Sequence, residues 1–269
     1  MVPDPPAVTV LIGAYESEAT LPRAISSILG QTETSLELIV VDDGSRDRSA
    51  AVARDAIGTD ARGRVLRLER NHGIASSLNE GLRVAAAPIV AIQDADDYSE
   101  PRRLERQLEV LESDSGIAVV GSRVREVDVG GRTLRARTSF AVGDVGFVLL
   151  RFNPIPNGCA MLRRAPVLEL GGYDPRYRYA ADHDLWLRVA ERHGVVTLDE
   201  VLATRVMSGG NVAARAERAQ LAEGIALRAR ALRRRRTLRG ATGLVRPAVS
   251  LAVPIRAKRA LRRLRDQAA

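Results

Sequence analysis

The stretch PIVAIQDADD, residues 88–97, places three carboxylates directly after an uninterrupted apolar run. Such a run predicts a buried strand, so Asp94, Asp96 and Asp97 would follow its carboxyl end. In an open α/β sheet that edge faces the crevice where ligands bind. Two carboxylates about 4 Å apart repel each other by roughly 4 kcal/mol at an effective dielectric near 20. Either a divalent cation shared with a diphosphate relieves this repulsion, or the acids form a turn that caps the helix near Pro101. This stretch leaves both open.

Two earlier strands are also followed by polar side chains. Residues 8–14 form a predicted strand that leads to Tyr15, and residues 36–41 form one that ends at Asp42 and Asp43. A further strand at 65–68 and helices beginning near residues 21, 48 and 73 complete an alternation of strand and helix. Right-handed crossovers make such strands parallel. We therefore expect Tyr15, Asp43 and the acids at 94–97 along one edge of the sheet.

The pattern becomes mixed in the second half of the chain. The expected elements are a helix at 101–112, a strand at 117–121, a hairpin of 124–128 and 133–137, a short helix at 145–152, a strand at 159–162, a helix at 182–192, and extended segments at 195–198 and 201–206. The fold class predicted is α/β, a single domain with a mixed central sheet.

Length and composition indicate one sizeable core in 269 residues. We expect a domain at 1–212, with two halves at about 7–123 and 124–212. The single cysteine, Cys159, excludes an internal disulfide and fits a reducing compartment. No secretory leader pattern and no apolar run near the ~20 residues of a membrane span are found. The predicted location is cytoplasmic, or peripheral on the inner face of the cell membrane.

The net charge of +8 belongs to the carboxyl-terminal part of the chain. Residues 213–269 hold 16 of the 41 Arg and Lys but only three of the 33 Asp and Glu, which leaves residues 1–212 with a net charge of −5. We predict a basic helical extension at 213–269. It either packs on the core or lies against an anionic membrane surface. Nucleic-acid binding is disfavoured because no aromatic side chains alternate with the basic ones.

Five motifs carry a family resemblance. They are VLIGAYE at 10–16, IVVDDGS at 39–45, NHG at 71–73 together with Asn79, DADD at 94–97, and ADHDLWLR at 181–188. In this order and spacing they resemble the family 2 glycosyltransferases over about residues 7–207. The resemblance implies the Rossmann-like GT-A fold and binding of a nucleotide-diphosphate sugar. It also implies that the half at about 7–123 binds the nucleotide and that the half at about 124–212 binds the acceptor.

The resemblance implies a role for several side chains at the predicted edge. The donor nucleotide is expected to contact Tyr15, Glu16, Asp43, Asn79 and Asp94. Tyr15 would stack on the base, although it could also be a rim tyrosine that fills the first crossover. Asp43 would accept the imino N–H of a pyrimidine, whereas Asp42 is expected to cap the following turn. Asp96, with Asp94 as its companion, would hold Mn²⁺ or Mg²⁺ at the diphosphate.

Asp182 matches the catalytic aspartate of the family and is the predicted general base. The alternative is that it only caps the helix it begins. Two departures from the family pattern are present. Ala181 stands where relatives often have Glu, and Met207 stands where many have a His that helps to hold the metal. A thioether is a poor ligand for Mn²⁺ or Mg²⁺, so the departure at Met207 bears on metal affinity.

The predicted function is transfer of a hexose-type sugar from a UDP-, dTDP- or GDP-sugar to a hydroxyl of a glycan or lipid-linked acceptor, with inversion, in cell-surface polysaccharide or glycolipid assembly. A sugar nucleotidyltransferase is the first alternative, but residues 13–16 lack the glycine-rich loop and basic residue that would hold a triphosphate. A basic nucleic-acid-binding protein is the second, and the acidic core argues against it.

Overall fold

A computed structural model of the chain describes residues 5–134, 140–207, 212–236, 241–245 and 247–248. The first half alternates strand and helix as the sequence predicts. Its elements are β1 (Val8–Ala14), α1 (Leu21–Leu29), β2 (Leu36–Asp42), α2 (Ser49–Ile57), β3 (Gly63–Arg67), α3 (Ile74–Val84), β4 (Ile89–Asp94), β5 (Tyr98–Ser99) and α4 (Arg103–Ser113).

Strand β1 lies between β2 and β4, and all three are parallel. In this register Ala14 pairs with Asp42, and Gly13 pairs with Asp94. The carboxyl ends of the three strands therefore coincide, which brings the polar segments after them to one edge of the sheet, as predicted.

The second half has longer strands than the sequence pattern predicts. Its elements are β6 (Ile117–Asp128), β7 (Gly143–Asp144), β8 (Met161–Arg163), α5 (Arg164–Glu169), α6 (Ala181–Val189), β9 (Gly194–Met207) and α7 (Val212–Arg234). The expected strand at 117–121 and the first strand of the expected hairpin are one strand, β6, which pairs in parallel with β9 along its length. Pairing with β9 satisfies the backbone groups that the hairpin would have used. Of that hairpin, only a bridge between Val127 and Thr133 lies in the described residues, since 135–139 lie outside them.

One other prediction in this half was wrong, and another was right except that its two segments form a single strand. The helix expected at 145–152 is a single 3-10 turn, Val148–Leu150, because the chain turns there to bury Leu149 and Leu150. The two extended segments expected at 195–198 and 201–206 form one strand, β9. Between these two segments the pairing of β9 with β6 shifts in register.

The described strands form one sheet in the order β3, β2, β1, β4, β8, β6, β9, β5, with β7 beside β9. Strand β8 runs antiparallel to β4 and β6, so the sheet is mixed, as predicted. Alternate residues of β1 face opposite sides: Leu11 belongs to an apolar cluster with residues of α3, α6 and α7, whereas Ile12 belongs to one with residues of α1, α2 and α4. Two apolar layers therefore cover the two faces of the sheet.

Helix α7 packs on the core through Leu227, Ala231 and Leu232, which join the apolar layer that contains Trp186. The basic extension expected from residue 213 thus includes a helix whose later half packs on the core. Packing on the core was one of the two alternatives that the sequence left open. Residues 249–269 lie outside the described residues. No helix in the described part of the chain is long and apolar enough to cross a bilayer.

Candidate active site

Tyr15 and Glu16 leave the end of β1 at the rim of the sheet. Tyr15 is 39% exposed, so its ring is free to contact a ligand. Glu16 has a positive φ of 50°, and its N–H donates to the Ser45 Oγ at 3.0 Å. The contact with Ser45 holds the turn after β1 to the turn after β2.

Asp43 is buried beside this turn and accepts two backbone hydrogen bonds. The His72 N–H donates to its Oδ1 at 2.9 Å, and the Gly73 N–H donates to its Oδ2 at 2.8 Å. Asp43 therefore holds the loop before α3, a role that the sequence pattern did not indicate. Each carboxylate oxygen has a further lone pair, so the predicted contact with a nucleotide base stays a prediction.

Asp42 and Asn79 hold backbone segments near the same edge. The Ser45 N–H donates to Asp42 Oδ1 at 3.2 Å, which is the turn cap that the sequence predicts. Asn79 donates from Nδ2 to the Tyr173 carbonyl at 2.8 Å and accepts the Tyr173 N–H at 2.9 Å. The Asn79 amide thus connects α3 to the loop before α6, and its predicted contact with nucleotide is not tested by this geometry.

Asp94 ends β4 and lies against Gly158, whose N–H donates to its carboxylate. A β-carbon at residue 158 would stand 2.6 Å from Asp94 Cγ. Burial raises the pKa of Asp94 to about 6, and the neighbouring charge of Asp96 adds to the effect. Burial makes the ionised form of this carboxylate costly in the free protein, and a bound cation would stabilise that form.

Asp96 and Asp97 follow Asp94 in different surroundings. Asp96 is exposed, whereas Asp97 is 7% exposed and accepts the Val206 N–H of β9 at 2.9 Å. Burial and the Asp94 charge raise the pKa of Asp97 to about 8. Asp97 therefore holds the acidic loop to β9 and does not cap α4, whose N-cap is Arg102.

Asp182 lies in the first turn of α6. Its Oδ2 accepts from Asn153 Nδ2 at 2.8 Å, and its Oδ1 accepts the His183 N–H at 2.7 Å. Burial raises the pKa of Asp182 to about 6, and the negative charge of Asp94 contributes to the rise. The N-cap of α6 is Ala180, so the geometry contradicts the alternative in which Asp182 only caps this helix.

The acids of β4 and α6 share one electrostatic environment. The guanidinium of Arg205, near the end of β9, opposes the pKa increases of Asp94, Asp97 and Asp182. The structure therefore brings the acidic loop after β4, Asp182 and Arg205 to one place. Sequence reasoning did not assign a role to Arg205, and its position two residues before Met207 was the signal that could have found it.

A hard divalent cation requires oxygen ligands. The described residues contain no group of three or more His, Cys, Asp or Glu side chains placed to hold a metal ion. Mg²⁺ in nucleotide sites commonly uses one or two carboxylates, substrate phosphates and water. Asp94 and the exposed Asp96 fit that kind of site, whereas Asp97 is bonded to β9 and Met207 offers only a thioether.

Arg103 is a buried cation beneath this edge that the sequence pattern did not single out. It is 0% exposed and donates to the Ile92, Gly158 and Ala160 carbonyls at 2.7, 3.0 and 3.2 Å. Its side chain also bonds to Gln93, Ser99 and Gln107. The available sequence signal was its spacing from Gln107. The two polar residues lie four positions apart and therefore on the same, inner face of α4.

Comparison with known proteins agrees with this geometry. The family model described as "Glycosyl transferase family 2" matches residues 9–171. The EpsE protein of Bacillus subtilis (strain 168) is 36% identical over 189 residues, which cover 69% of this chain and 67% of EpsE. The amylovoran biosynthesis glycosyltransferase AmsE of Erwinia amylovora is 29% identical over 207 residues, 76% of this chain and 77% of AmsE.

Two solved structures show the same fold. The mannosyltransferase PcManGT of Pyrobaculum calidifontis, solved with GDP-Man and Mn²⁺, aligns with a TM-score of 0.66 at 21% identity and covers 96% of this chain and 79% of its own. S. aureus TarS 1–349 with UDP-GlcNAc aligns with a TM-score of 0.67 at 19% identity, covering 84% of this chain. The match spans 66% of that TarS chain, just under two thirds of its length.

Proposed function

The chain belongs to the family 2 glycosyltransferases, and from this premise we propose that it transfers one sugar from a nucleoside-diphosphate donor to a hydroxyl of a glycan or lipid-linked acceptor. One observation carries the proposal: the segment 153–158 contacts acids from both halves of the chain, since Asn153 donates to Asp182 at 2.8 Å and the Gly158 N–H donates to Asp94. This connection supports a donor site beside the proposed base.

The donor is a UDP-, dTDP- or GDP-sugar in this proposal. Tyr15 stacks on its base, and Asp43 accepts an N–H of that base. Glu16, Asn79 and Asp94 line the remainder of the nucleotide site. Support comes from the register of β1, β2 and β4, whose carboxyl ends meet at one edge of the sheet and carry Tyr15, Asp43 and Asp94 there.

Asp96 and Asp94 hold Mn²⁺ or Mg²⁺ in this proposal. When bound, the cation would act as a Lewis acid for the departing diphosphate. PcManGT was solved with Mn²⁺, which supports a metal of this kind in the family fold. Because Met207 replaces a possible nitrogen ligand, we expect the ion to depend on two carboxylates, phosphates and water.

Asp182 is the general base. The acceptor hydroxyl oxygen bonds to the anomeric carbon, the bond from that carbon to the diphosphate oxygen breaks, and the acceptor proton moves to an Asp182 carboxylate oxygen. Direct displacement of this kind inverts the anomeric centre. Asn153 and the His183 N–H orient the carboxylate, and a pKa of about 6 keeps it ionised but basic near neutral pH.

The acceptor belongs to cell-surface polysaccharide or glycolipid assembly in this proposal, with a hexose-type sugar transferred at the inner face of the membrane. The name of AmsE, a glycosyltransferase of amylovoran biosynthesis, supports the polysaccharide part. Membrane attachment would depend on basic residues 249–269, because α7 packs on the core. We therefore place the domain boundary after α7 and not at residue 212.

Calorimetric titration of a panel of UDP-, dTDP- and GDP-sugars, with Mn²⁺ and with EDTA, tests the donor site. We expect one nucleotide class to bind, and Asp96→Ala to weaken binding only when Mn²⁺ is present. Asp199→Ala, an exposed acid paired with Arg123, is the control and should bind as the unaltered protein does. If no member of the panel binds in either condition, the proposed function is wrong.

A further inference from the structure

Helix α7 contacts the chain directly before α6, the helix that carries Asp182. Glu223 accepts three backbone hydrogen bonds there: from the Arg178 N–H at 3.1 Å, the Tyr179 N–H at 2.9 Å and the Ala180 N–H at 3.1 Å. Ala180 is two residues before Asp182. One carboxylate of α7 thus satisfies every backbone N–H in the last three residues before α6.

The same helix also holds the other segment that contacts Asp182. Arg228 is buried, and its Nη1 donates to the Arg151 carbonyl at 2.5 Å. Two residues further along the chain, Asn153 donates to Asp182 at 2.8 Å. Arg228 lies five positions after Glu223, so both contacts arise from adjacent turns of α7.

Glu223 holds the backbone that leads into α6, up to and including the N-cap residue. The N-cap of α6, Ala180, has no side chain able to accept a hydrogen bond from the first turn. A carboxylate at a helix N-terminus satisfies unpaired N–H groups and interacts favourably with the helix dipole. Burial of Leu227 and Ala231, and the bond from Arg230 Nη1 to the Tyr177 hydroxyl at 2.8 Å, keep α7 at this position.

We propose that Glu223 is a positioning residue for sugar transfer: it fixes residues 178–180 and thereby the orientation of Asp182. The inference rests on the proposed function, in which Asp182 removes the acceptor proton. It makes α7 part of the catalytic domain. A displacement of about 1 Å at a catalytic group can lower the rate by up to 10²-fold, so the effect of Glu223 is measurable.

Glu223→Gln in the full chain tests this inference, because the amide keeps the side-chain length but replaces one acceptor oxygen with an NH₂ group. The assay is release of nucleoside diphosphate from UDP-glucose, UDP-N-acetylglucosamine and GDP-mannose with water as acceptor. We expect kcat to fall about 10-fold or more while KM changes less than about twofold, the pattern of a defect in the chemical step.

Glu191→Gln is the matched control. Glu191 also connects the core to α7, through Arg234 at 2.8 Å, but it follows the opposite end of α6. We expect the control to retain the kcat of the unaltered protein. If Glu223→Gln retains it as well, the inference is overturned and Asp182 keeps its role. If Asp182→Asn retains it, the proposed function itself is overturned.

Hydrogen exchange of the unaltered protein gives a test that does not depend on folding of a variant. The amides of Tyr179 and Ala180 should exchange as slowly as those inside α6, because Glu223 holds them. Exchange at the rate of an unbonded loop would overturn the inference.

Discussion

Gly158 lies against the Asp94 carboxylate so closely that a β-carbon at residue 158 would stand 2.6 Å from both Asp94 Cγ and Oδ2. The two residues come from the two halves of the chain, and the Gly158 carbonyl also accepts from the buried Arg103 at 3.0 Å. This contact fixes the end of β4 relative to the loop before β8. The predicted metal site therefore depends on a glycine far from the acidic motif in sequence.

Gly158→Ala should displace the Asp94 carboxylate, since no real β-carbon sits 2.6 Å from another carbon. We expect a loss of about 1–3 kcal/mol in the free energy of unfolding, typical of overpacking, and loss of Mn²⁺-dependent nucleotide binding. Calorimetry and urea unfolding measure the two effects. Gly116→Ala, in an exposed turn, is the control; equal metal-dependent binding by both variants would contradict the proposed role of the contact.

Asp182→Asn should lower kcat by about 10²–10⁴-fold, the usual contribution of a positioned base, with nucleotide affinity unchanged. In the unaltered protein the pKa of Asp182 is about 6, raised mainly by burial. The base acts when ionised, so kcat should fall as pH drops below about 6. A pH profile of kcat measures this, and an acid limb centred near pH 4 would show that the essential base is another group.

Stability should fall as pH rises. The pKa values of Asp94 and Asp182 are raised to about 6, and that of Asp97 to about 8. Between about pH 4 and pH 8 these three carboxyls bind more protons in the folded protein than in the unfolded chain, so they make the free energy of unfolding decrease with pH. Burial lowers the pKa of His183 from 6.5 to about 4, and this single group opposes part of the decrease below about pH 6.5. A carboxyl raised to about 6 corresponds to roughly 3 kcal/mol by pH 8.

Urea unfolding at pH 5 and pH 8 in EDTA measures this decrease. At the proposed metal site Mn²⁺ would bind the ionised carboxylates, so adding it should restore part of the loss at pH 8. Asp97→Asn removes the titrating carboxyl but still offers an oxygen to the Val206 N–H. We therefore expect the free energy of unfolding of this variant to fall less between pH 5 and pH 8. Greater stability at pH 8 than at pH 5 in EDTA would contradict the assignment.

Arg103→Met should destabilise the fold strongly. It removes the donor to three buried carbonyls, at Ile92, Gly158 and Ala160. Unsatisfied buried groups cost about 1–3 kcal/mol each, so we expect a loss of at least about 3 kcal/mol. The adjacent Arg102→Met removes only an exposed ion pair with Glu105 and should cost under about 1 kcal/mol. If thermal unfolding shows similar losses of stability for the two variants, the stabilising role assigned to the buried Arg103 is wrong.

The sequence by itself determined the first half of the fold and the family. Apolar runs and helical periodicity depend on neighbours within a few residues, so β1, β2, β4 and their helices follow from local pattern. Parallel strands end at one edge, which is why Asp43 and Asp94 could be placed there from sequence.

Only the tertiary structure decided the support of that edge. The joining of residues 117–128 into β6, the burial of Arg103 and the bonds from Glu223 to residues 178–180 all link segments distant in sequence. These contacts follow from side-chain packing and from the need to satisfy buried backbone groups, neither of which leaves a periodic signal in the chain. Asp182 was recognisable from its motif, but the side chains that orient it were set by the packing of α7 and the 151–153 segment around it.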